Sequence, residues 1–134
     1  FQELFVAKPH VFISSGHPLA GKKSVSALDL EPYPFLSFEQ GEHNSFYFSE
    51  EIFAQEERKK NIRVRDRAPR GPRLIGLNGD TVCSGVIDKK LNGQDIIAVP
   101  LDDDQDMHIG YIMHQKGQLG RLASTYLEAL RKYI

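Results

Sequence analysis

The stretch HPLAGKKSVSALDL, residues 17–30, directly follows the apolar run VFISS. Its proline has no N–H and a fixed φ, so the chain must leave whatever sheet contains the apolar run. Ser26 or Asp29 can then cap a short helical turn, in which we expect Leu28 and Leu30 to face inward. The stretch therefore predicts a connector that leaves a sheet and ends in a capped helical turn.

Extended segments are predicted on both sides of this connector. The first is interrupted at Lys8-Pro9 and places Val11 and Ile13 on one face. The segment TVCSGVI is apolar enough to be buried on both faces, as central strands of parallel sheets are. The predicted strands cover residues 4–15, 34–38, 62–67, 81–87, 95–101 and 108–114.

Two segments have helical patterns. Residues 45–60 carry an imperfect apolar stripe and place acidic residues before a basic end, an order that complements the helix dipole. Residues 119–133 place apolar side chains at helical spacing and predict an amphipathic helix packed on a sheet. Strands mixed with helices indicate the α/β class. In the segment Pro69–Arg73, two prolines and a glycine exclude a regular helix, so residues 74–77 are at most a residual helical turn.

The composition is that of one globular domain. The chain has 134 residues, 40% of them hydrophobic and 26% charged, with a formal net charge of -1. No overall charge excess draws it to nucleic acid or to a membrane. No apolar run approaches the roughly 18 residues that a membrane span needs, and no signal-peptide pattern is visible. The single cysteine, Cys83, allows no internal disulfide and favours a reducing compartment. Because the first residue is Phe1 and not Met, we expect the chain to start inside a longer translation product.

The sequence contains no recognisable catalytic or metal-binding constellation. The acidic run at 102–106 lacks the glycine and the glutamate of a calcium loop, and Cys83 lies in an apolar run typical of a buried small hydrophobe. Residues 58–73 hold eight basic residues against one acid, but without interleaved aromatics they indicate a solvated or anion-binding face more than a nucleic-acid contact. The histidines lack metal-ligand spacing; they are at positions 10, 17, 43, 108 and 114.

Two loops could bind a small molecule. Residues 39–45 open the first predicted helix, where free N–H groups and the Asn44 and Ser45 side chains would suit a carboxylate or a phosphate. The alternative, that one of these side chains merely caps the helix, is equally consistent with the sequence. Residues 77–84 form a second turn with a glycine, for which a tight connection is the simpler interpretation. Ligands of open α/β sheets gather outside strand ends, where both loops are predicted.

In order along the chain, several motifs resemble the C-terminal effector-binding domain of LysR-type transcriptional regulators. They are HPLA followed by SVSALDL and YPFLSF, then IRVRDRA, LIGLNGDTVCSGVI, IIAVPL, HIGYIMHQ and the terminal amphipathic helix. The resemblance covers about Phe5 to Ile134. It implies an α/β fold like that of type 2 periplasmic binding proteins, with mainly the second lobe plus the returning C-terminal strand and helix, the first lobe being incomplete. Residues 1–134 would be one partial domain, with the second lobe at about 18–100 and crossover and first-lobe elements at 1–17 and 101–134.

The resemblance also implies a function. Such a domain senses a small effector, often an anionic metabolite, in a cytoplasmic regulator that self-associates as a dimer or tetramer. It contacts DNA only through an N-terminal helix-turn-helix, which this chain lacks, and it needs no enzymatic activity, cofactor, metal or membrane. The positions that correspond to the family's effector contacts are Gln40, Asn44, Ser45, Asp66, Arg67, Asn78, Gly79 and Thr81.

Three departures from the family pattern affect these expectations. Most of the first lobe is missing, so the chain alone should bind effector weakly or not at all. The family's apolar helix after the DRA strand is replaced by PRGPR, and Asp80 would oppose an anionic ligand. Two other function classes stay open: a solute-binding fragment of a transport system with the same fold, and a binding-protein-like enzyme domain, which the lack of a nucleophile–base pair disfavours.

Overall fold

The first strand segment is divided in two, as predicted. In the computed structural model, which describes residues 1–38, 60–64 and 75–133, it forms β1 (Gln2–Ala7) and β2 (His10–Ser14), separated by Lys8 and Pro9. Pro9 has no N–H for a sheet ladder, but its carbonyl accepts a hydrogen bond from the Leu101 N–H at 3.0 Å. The chain divides here into two compact units, one of Phe1–Ala7 with Asp106–Ile134 and the other of Lys8–Gln105.

The larger unit is built around β2. This strand pairs antiparallel with β5 (Thr81–Cys83) on one side and with β6 (Ile96–Pro100) on the other, in the order β5-β2-β6. Both faces of β2 are buried. One face contributes Val11 and Ile13 to an apolar cluster, and the opposite face contributes Phe12 to a second cluster; the other buried members are Leu19, Val25, Leu30, Val99 and Leu101 in the first, and Leu36 and Ile96 in the second.

The segment predicted as a central parallel strand at 81–87 is different in the structure. The strand β5 ends at Cys83, and its ladder partner β2 runs antiparallel to it. Gly85 has φ +79°, outside the strand region, so the extended segment cannot continue through it. The prediction was wrong because the buried apolar pattern is the same for parallel and antiparallel partners, whereas β2 occupies the centre of this sheet.

A second pair of strands in the same unit is parallel. The strand β3 (Phe35–Phe38) pairs with β4 (Asn61–Val64), in register Phe35 with Asn61. In β4, half-buried Ile62 and buried Val64 alternate with two exposed residues, as predicted from IRV. Residues 45–59 of the helix predicted at 45–60, the strand end at 65–67 and the segment Pro69–Arg73 lie outside the described residues. Lys60 is described and is not helical, whereas residues 75–77 are helical.

The connector ends in the predicted capped turn. Helix α1 (Ala27–Leu30) has Ser26 as its N-cap, and the Ser26 and Asp29 side chains each accept a backbone N–H of the other residue, forming a capping box. Leu30 is buried, but Leu28 is 77% exposed, so its predicted inward position was wrong. Residues two apart on a helix lie on nearly opposite sides, so a single turn cannot bury both. Sequence analysis also missed the short helix α2 (Lys89–Asn92), which the Asp88 side chain caps.

The smaller unit consists of two strands and the terminal helix. The strand β1 pairs antiparallel with β7 (Met107–Tyr111), and helix α3 (Arg121–Leu130) follows. The predicted helix is thus confirmed over these residues, but its predicted packing is only partly correct. Leu127 is buried, whereas Leu122 and Tyr126 on the apolar pattern are largely exposed. Across the described ranges, no helix is long and apolar enough to span a membrane.

Candidate functional site

The described part of the predicted site is the turn of residues 78–81, called here the 78–81 turn. It holds three of the predicted effector positions: Asn78, Gly79 and Thr81. The other five, Gln40, Asn44, Ser45, Asp66 and Arg67, lie outside the described residues.

One side of the 78–81 turn is fixed to strand β3. The Asp80 N–H donates to the Pro34 carbonyl at 3.0 Å, and the Leu36 N–H donates to the Asp80 carbonyl at 2.8 Å. Gly79 lies against the same strand, where a Cβ atom would overlap Leu36 Cδ1 and lie 3.1 Å from the Pro34 carbonyl oxygen. The glycine is therefore required by the close approach of two backbone segments.

Asn78 enters the turn in the left-handed region, at φ 48°. Asparagine is one of the few residues other than glycine that adopts this region without a large penalty. Its carbonyl oxygen accepts a hydrogen bond from Nε2 of His17 at 3.0 Å. The side of the turn away from β3 is thus fixed by a side chain of the HPLA motif.

Thr81 closes the turn with a buried polar group that has no partner among the described residues. The residue is 1% exposed, and no group in the described part of the chain hydrogen-bonds to its Oγ1. A buried hydroxyl in this state costs about 1–3 kcal/mol relative to a paired one. Such a group is a candidate for hydrogen bonding to a ligand oxygen. The neighbouring Asp80, predicted to oppose an anion, has no solvent exposure.

His17 is the residue that sequence analysis did not assign to the site. It is 3% exposed, its Nδ1 accepts the Leu19 N–H at 3.1 Å, and its ring lies 4.3 Å from that of Tyr33. Burial lowers the pKa of His17 from its ordinary value, an effect that the hydrogen bond to the Asn78 carbonyl partly offsets. The signal in the sequence was the HPLA motif itself, whose histidine precedes the proline that bends the chain away from β2.

Within residues 1–38, 60–64 and 75–133, the structure brings together no other predicted chemistry. Cys83 is half-buried against the cluster of Phe12, Leu36 and Ile96, close to its expected role as a small apolar side chain. Within the described ranges, no three His, Cys, Asp or Glu side chains gather in a way that would hold a metal ion. His108 pairs across the strands of the smaller unit with Glu3, at 2.5 Å between Nδ1 and Oε2.

Comparison with known proteins gives similarity in structure only. No protein-family model matches the chain, and no curated protein matches it in sequence. Among solved structures, it is similar to HinK, a LysR family transcriptional regulator from Pseudomonas aeruginosa, with a TM-score of 0.66 and 18% identity over 98% of this chain and 47% of HinK. It is similar to the effector-binding domain of QuiR in complex with shikimate, with a TM-score of 0.63 and 15% identity over 99% of this chain and 64% of that one.

A third similar structure is the BenM effector-binding domain with its effector benzoate. The TM-score is 0.60 at 14% identity, over 98% of this chain and 62% of that domain. The chain therefore has the α/β fold of these effector-binding domains, which is like that of periplasmic binding proteins, and it spans about half to two thirds of the length of the structures it resembles. The predicted resemblance to LysR-type effector domains is confirmed at the level of the fold.

Proposed function

We propose that this chain is part of the effector-binding domain of a LysR-type transcriptional regulator and that the 78–81 turn contacts a small carboxylate effector. The observation that carries the proposal is the buried hydroxyl of Thr81, which has no hydrogen-bond partner in the described part of the chain and lies in a turn where the resemblance independently expects effector contacts. Similarity of fold to domains solved with shikimate and with benzoate supports a carboxylate as the ligand class.

The chemistry of the turn suits such a ligand. The Thr81 hydroxyl can donate one hydrogen bond to a carboxylate oxygen, and this bond would replace the one the group lost on burial. By the same resemblance, residues 18–100 would supply the second lobe of the cleft, and Gln40, Asn44, Ser45, Asp66 and Arg67 would complete its contacts. No catalytic step, metal or cofactor is needed for this role.

The wider role of the protein belongs to the same proposal. Effector binding would act in the cytoplasm on a self-associated regulator whose helix-turn-helix contacts DNA. The alternative, a solute-binding fragment of a transport system, has no support from the regulator structures to which the chain is similar. Sequencing the DNA immediately upstream of the Phe1 codon separates the two: an in-frame helix-turn-helix supports the regulator, and a signal peptide without one contradicts it.

The ligand contact is tested by NMR on the 15N-labelled chain, with benzoate and shikimate as the added probes. We expect saturable shifts of the Gly79, Asp80 and Thr81 amides, and an affinity about tenfold weaker in Thr81→Val, which removes only the hydroxyl. Because no described residue hydrogen-bonds to that hydroxyl, Thr81→Val should not lower the stability of the unliganded chain. The matched control is Thr125→Val on helix α3, whose hydroxyl donates to the Arg121 carbonyl at 3.0 Å. Equal affinity in Thr81→Val and the control would contradict the contact.

A further inference from the structure

His17 joins two segments that are far apart in the sequence. Both of its ring nitrogens are used: Nδ1 accepts from the Leu19 N–H, and Nε2 donates to the Asn78 carbonyl. Since Nδ1 accepts a hydrogen bond, it carries no proton, and the proton of the neutral ring is on Nε2. The geometry therefore requires one tautomer of the neutral imidazole.

Protonation of this ring conflicts with its surroundings. A proton on Nδ1 would point at the Leu19 N–H, so that hydrogen bond would be replaced by two opposed donors. Nε2 keeps its proton and can still donate to the Asn78 carbonyl, so this contact is lost only if the protonated ring leaves its site. The charge would also have to stay in a site where His17 is almost completely buried and packed against the Tyr33 ring. Among the described segments around the ring, the titratable groups are Tyr33, which contacts it, and Asp80, two residues beyond Asn78.

The effect reaches the ligand position through the backbone of the 78–81 turn. The Asn78 carbonyl belongs to the peptide group that leads into Gly79, so the hydrogen bond from His17 fixes the orientation of that peptide. Asn78 is held there at a positive φ, which asparagine tolerates but which is less favourable than a negative φ, so loss of the contact would favour a change of this residue. On the other side, Asp80 is bonded to β3 through its backbone, whereas the bond to Asn78 comes from a side chain that can titrate.

We propose that His17 is a positioning residue that holds the 78–81 turn ready for ligand while its ring is neutral, and that protonation drives the ring out of its buried site and so releases the turn. The inference rests on the proposed function, since it describes how the affinity of that site is regulated. Molecules with a neutral ring are the binding-competent ones. One pH unit below the midpoint of His17, only about a tenth of the molecules are competent, so the apparent affinity for a carboxylate falls about tenfold.

The first test needs no ligand. In the 15N-labelled chain, the His17 ring nitrogens and the amides of Gly79, Asp80 and Thr81 are followed from about pH 8 to about pH 5, the range in which histidines titrate. We expect the three amides to shift with the same midpoint as the His17 ring. Turn amides that do not move while the ring titrates would overturn the inference, whatever the chain binds.

Two variants separate positioning from simple packing. His17→Gln keeps one N–H donor and one carbonyl acceptor but does not titrate, so it should retain the turn and lose the pH dependence of the amide shifts. His17→Phe keeps a ring next to Tyr33 but loses both hydrogen bonds, so its turn amides should differ from wild type at every pH. His114→Gln, at an exposed position in the smaller unit, is the matched control. The pH dependence of its turn amide shifts should be the same as in wild type.

The second test measures affinity for benzoate and shikimate across the same pH range. Wild type should bind about tenfold more weakly one pH unit below the His17 midpoint, and His17→Gln should show a flat profile. The same pH profile in wild type and His17→Gln would overturn the inference while the proposed function stands. If neither probe binds at any pH, the proposed carboxylate site fails, and the ligand-free titration alone decides the role of His17.

Discussion

Gly79 and Leu36 are in such close contact that a single added methyl group on the glycine would overlap the leucine Cδ1. Leu36 has no solvent exposure and lies in the cluster with Phe12 and Ile96, so its side chain has no free space to move into. The contact holds the 78–81 turn against strand β3. The packing of Leu36 in the core therefore helps to fix the geometry of the candidate site.

Gly79→Ala should lower the free energy of unfolding by about 1–3 kcal/mol, because either Leu36 or the turn must shift to admit the methyl group. The measurement is urea denaturation of Gly79→Ala, of a control variant and of wild type. Gly76→Ala is the matched control, since nothing lies within 4 Å of a Cβ there and the residue is helical. We expect it to be neutral or to stabilise the chain by up to about 1 kcal/mol. Equal stability of the two variants would show that Leu36 can move.

Ser26→Ala should destabilise the larger unit by about 1 kcal/mol. The N-cap hydroxyl accepts the Asp29 N–H, and alanine cannot replace this hydrogen bond. The measurement is the midpoint of thermal unfolding at neutral pH. Ser24→Ala, at an exposed position just before the helix, is the control and should change the midpoint little. A cap without energetic value would make the two serine variants indistinguishable.

The contribution of Asp29 should disappear in acid. Its pKa is lowered from 3.8 to about 2, first by the hydrogen bond from Lys22, at 2.6 Å from Nζ to Oδ1, and then by the backbone N–H of Ser26. A carboxyl whose pKa is lower in the folded chain stabilises it above the ordinary pKa and loses this effect as the pH falls through the folded value. The stability difference between wild type and Asp29→Asn should therefore be constant above about pH 4 and shrink toward about pH 2.

Lys22→Met provides the check on this explanation. Removal of the lysine should move the loss of the Asp29 contribution to higher pH, closer to the ordinary pKa of the carboxyl, because the largest cause of the shift is gone. An unchanged acid profile in Lys22→Met would assign the effect to the helix cap alone.

Leu127→Ala and Leu122→Ala should differ strongly although they are on the same helix. Leu127 is 9% exposed and Leu122 is 82% exposed. We expect a cost of about 2–4 kcal/mol for the first and less than about 0.5 kcal/mol for the second. Hydrogen exchange of the β1 and β7 amides is the suitable measurement, because it reports the opening of the smaller unit by itself. A large effect of Leu122→Ala would mean that its side chain is covered in solution.

The parts of the fold that were predicted correctly depend on local rules. Pro9 has no N–H for a ladder, Ser26 and Asp29 form a cap through residues three apart, and the apolar runs of β3 and β6 are bounded by turns. One error was local, because a single helical turn cannot bury both Leu28 and Leu30. The other errors concern relations between distant residues. The central position of β2, and not of β5, depends on which strands meet, and the exposure of Leu122 depends on how much surface the neighbouring strands can cover.

The candidate site was predictable to a smaller extent. Asn78, Gly79 and Thr81 were predicted from their position in a series of motifs. No local pattern reveals that the Thr81 hydroxyl has no partner among the described residues. The role of His17 was hidden because its hydrogen bond reaches Asn78, 61 residues away along the chain. A lone histidine before a proline carries no local sign of such a contact.

The pairing of β2 also has a consequence for how the chain is made. Its residue His10 pairs with Cys83 on one side and with Pro100 on the other, so both neighbours are synthesised long after the strand itself. While the ribosome makes the intervening residues, the apolar run VFIS has no ladder partner from either strand and stays open to association with other nascent chains. Contacts of such long sequence separation also make folding slow. Assembly of the larger unit therefore waits for its last strand, and the interval before that strand emerges is the period in which the chain most needs a chaperone.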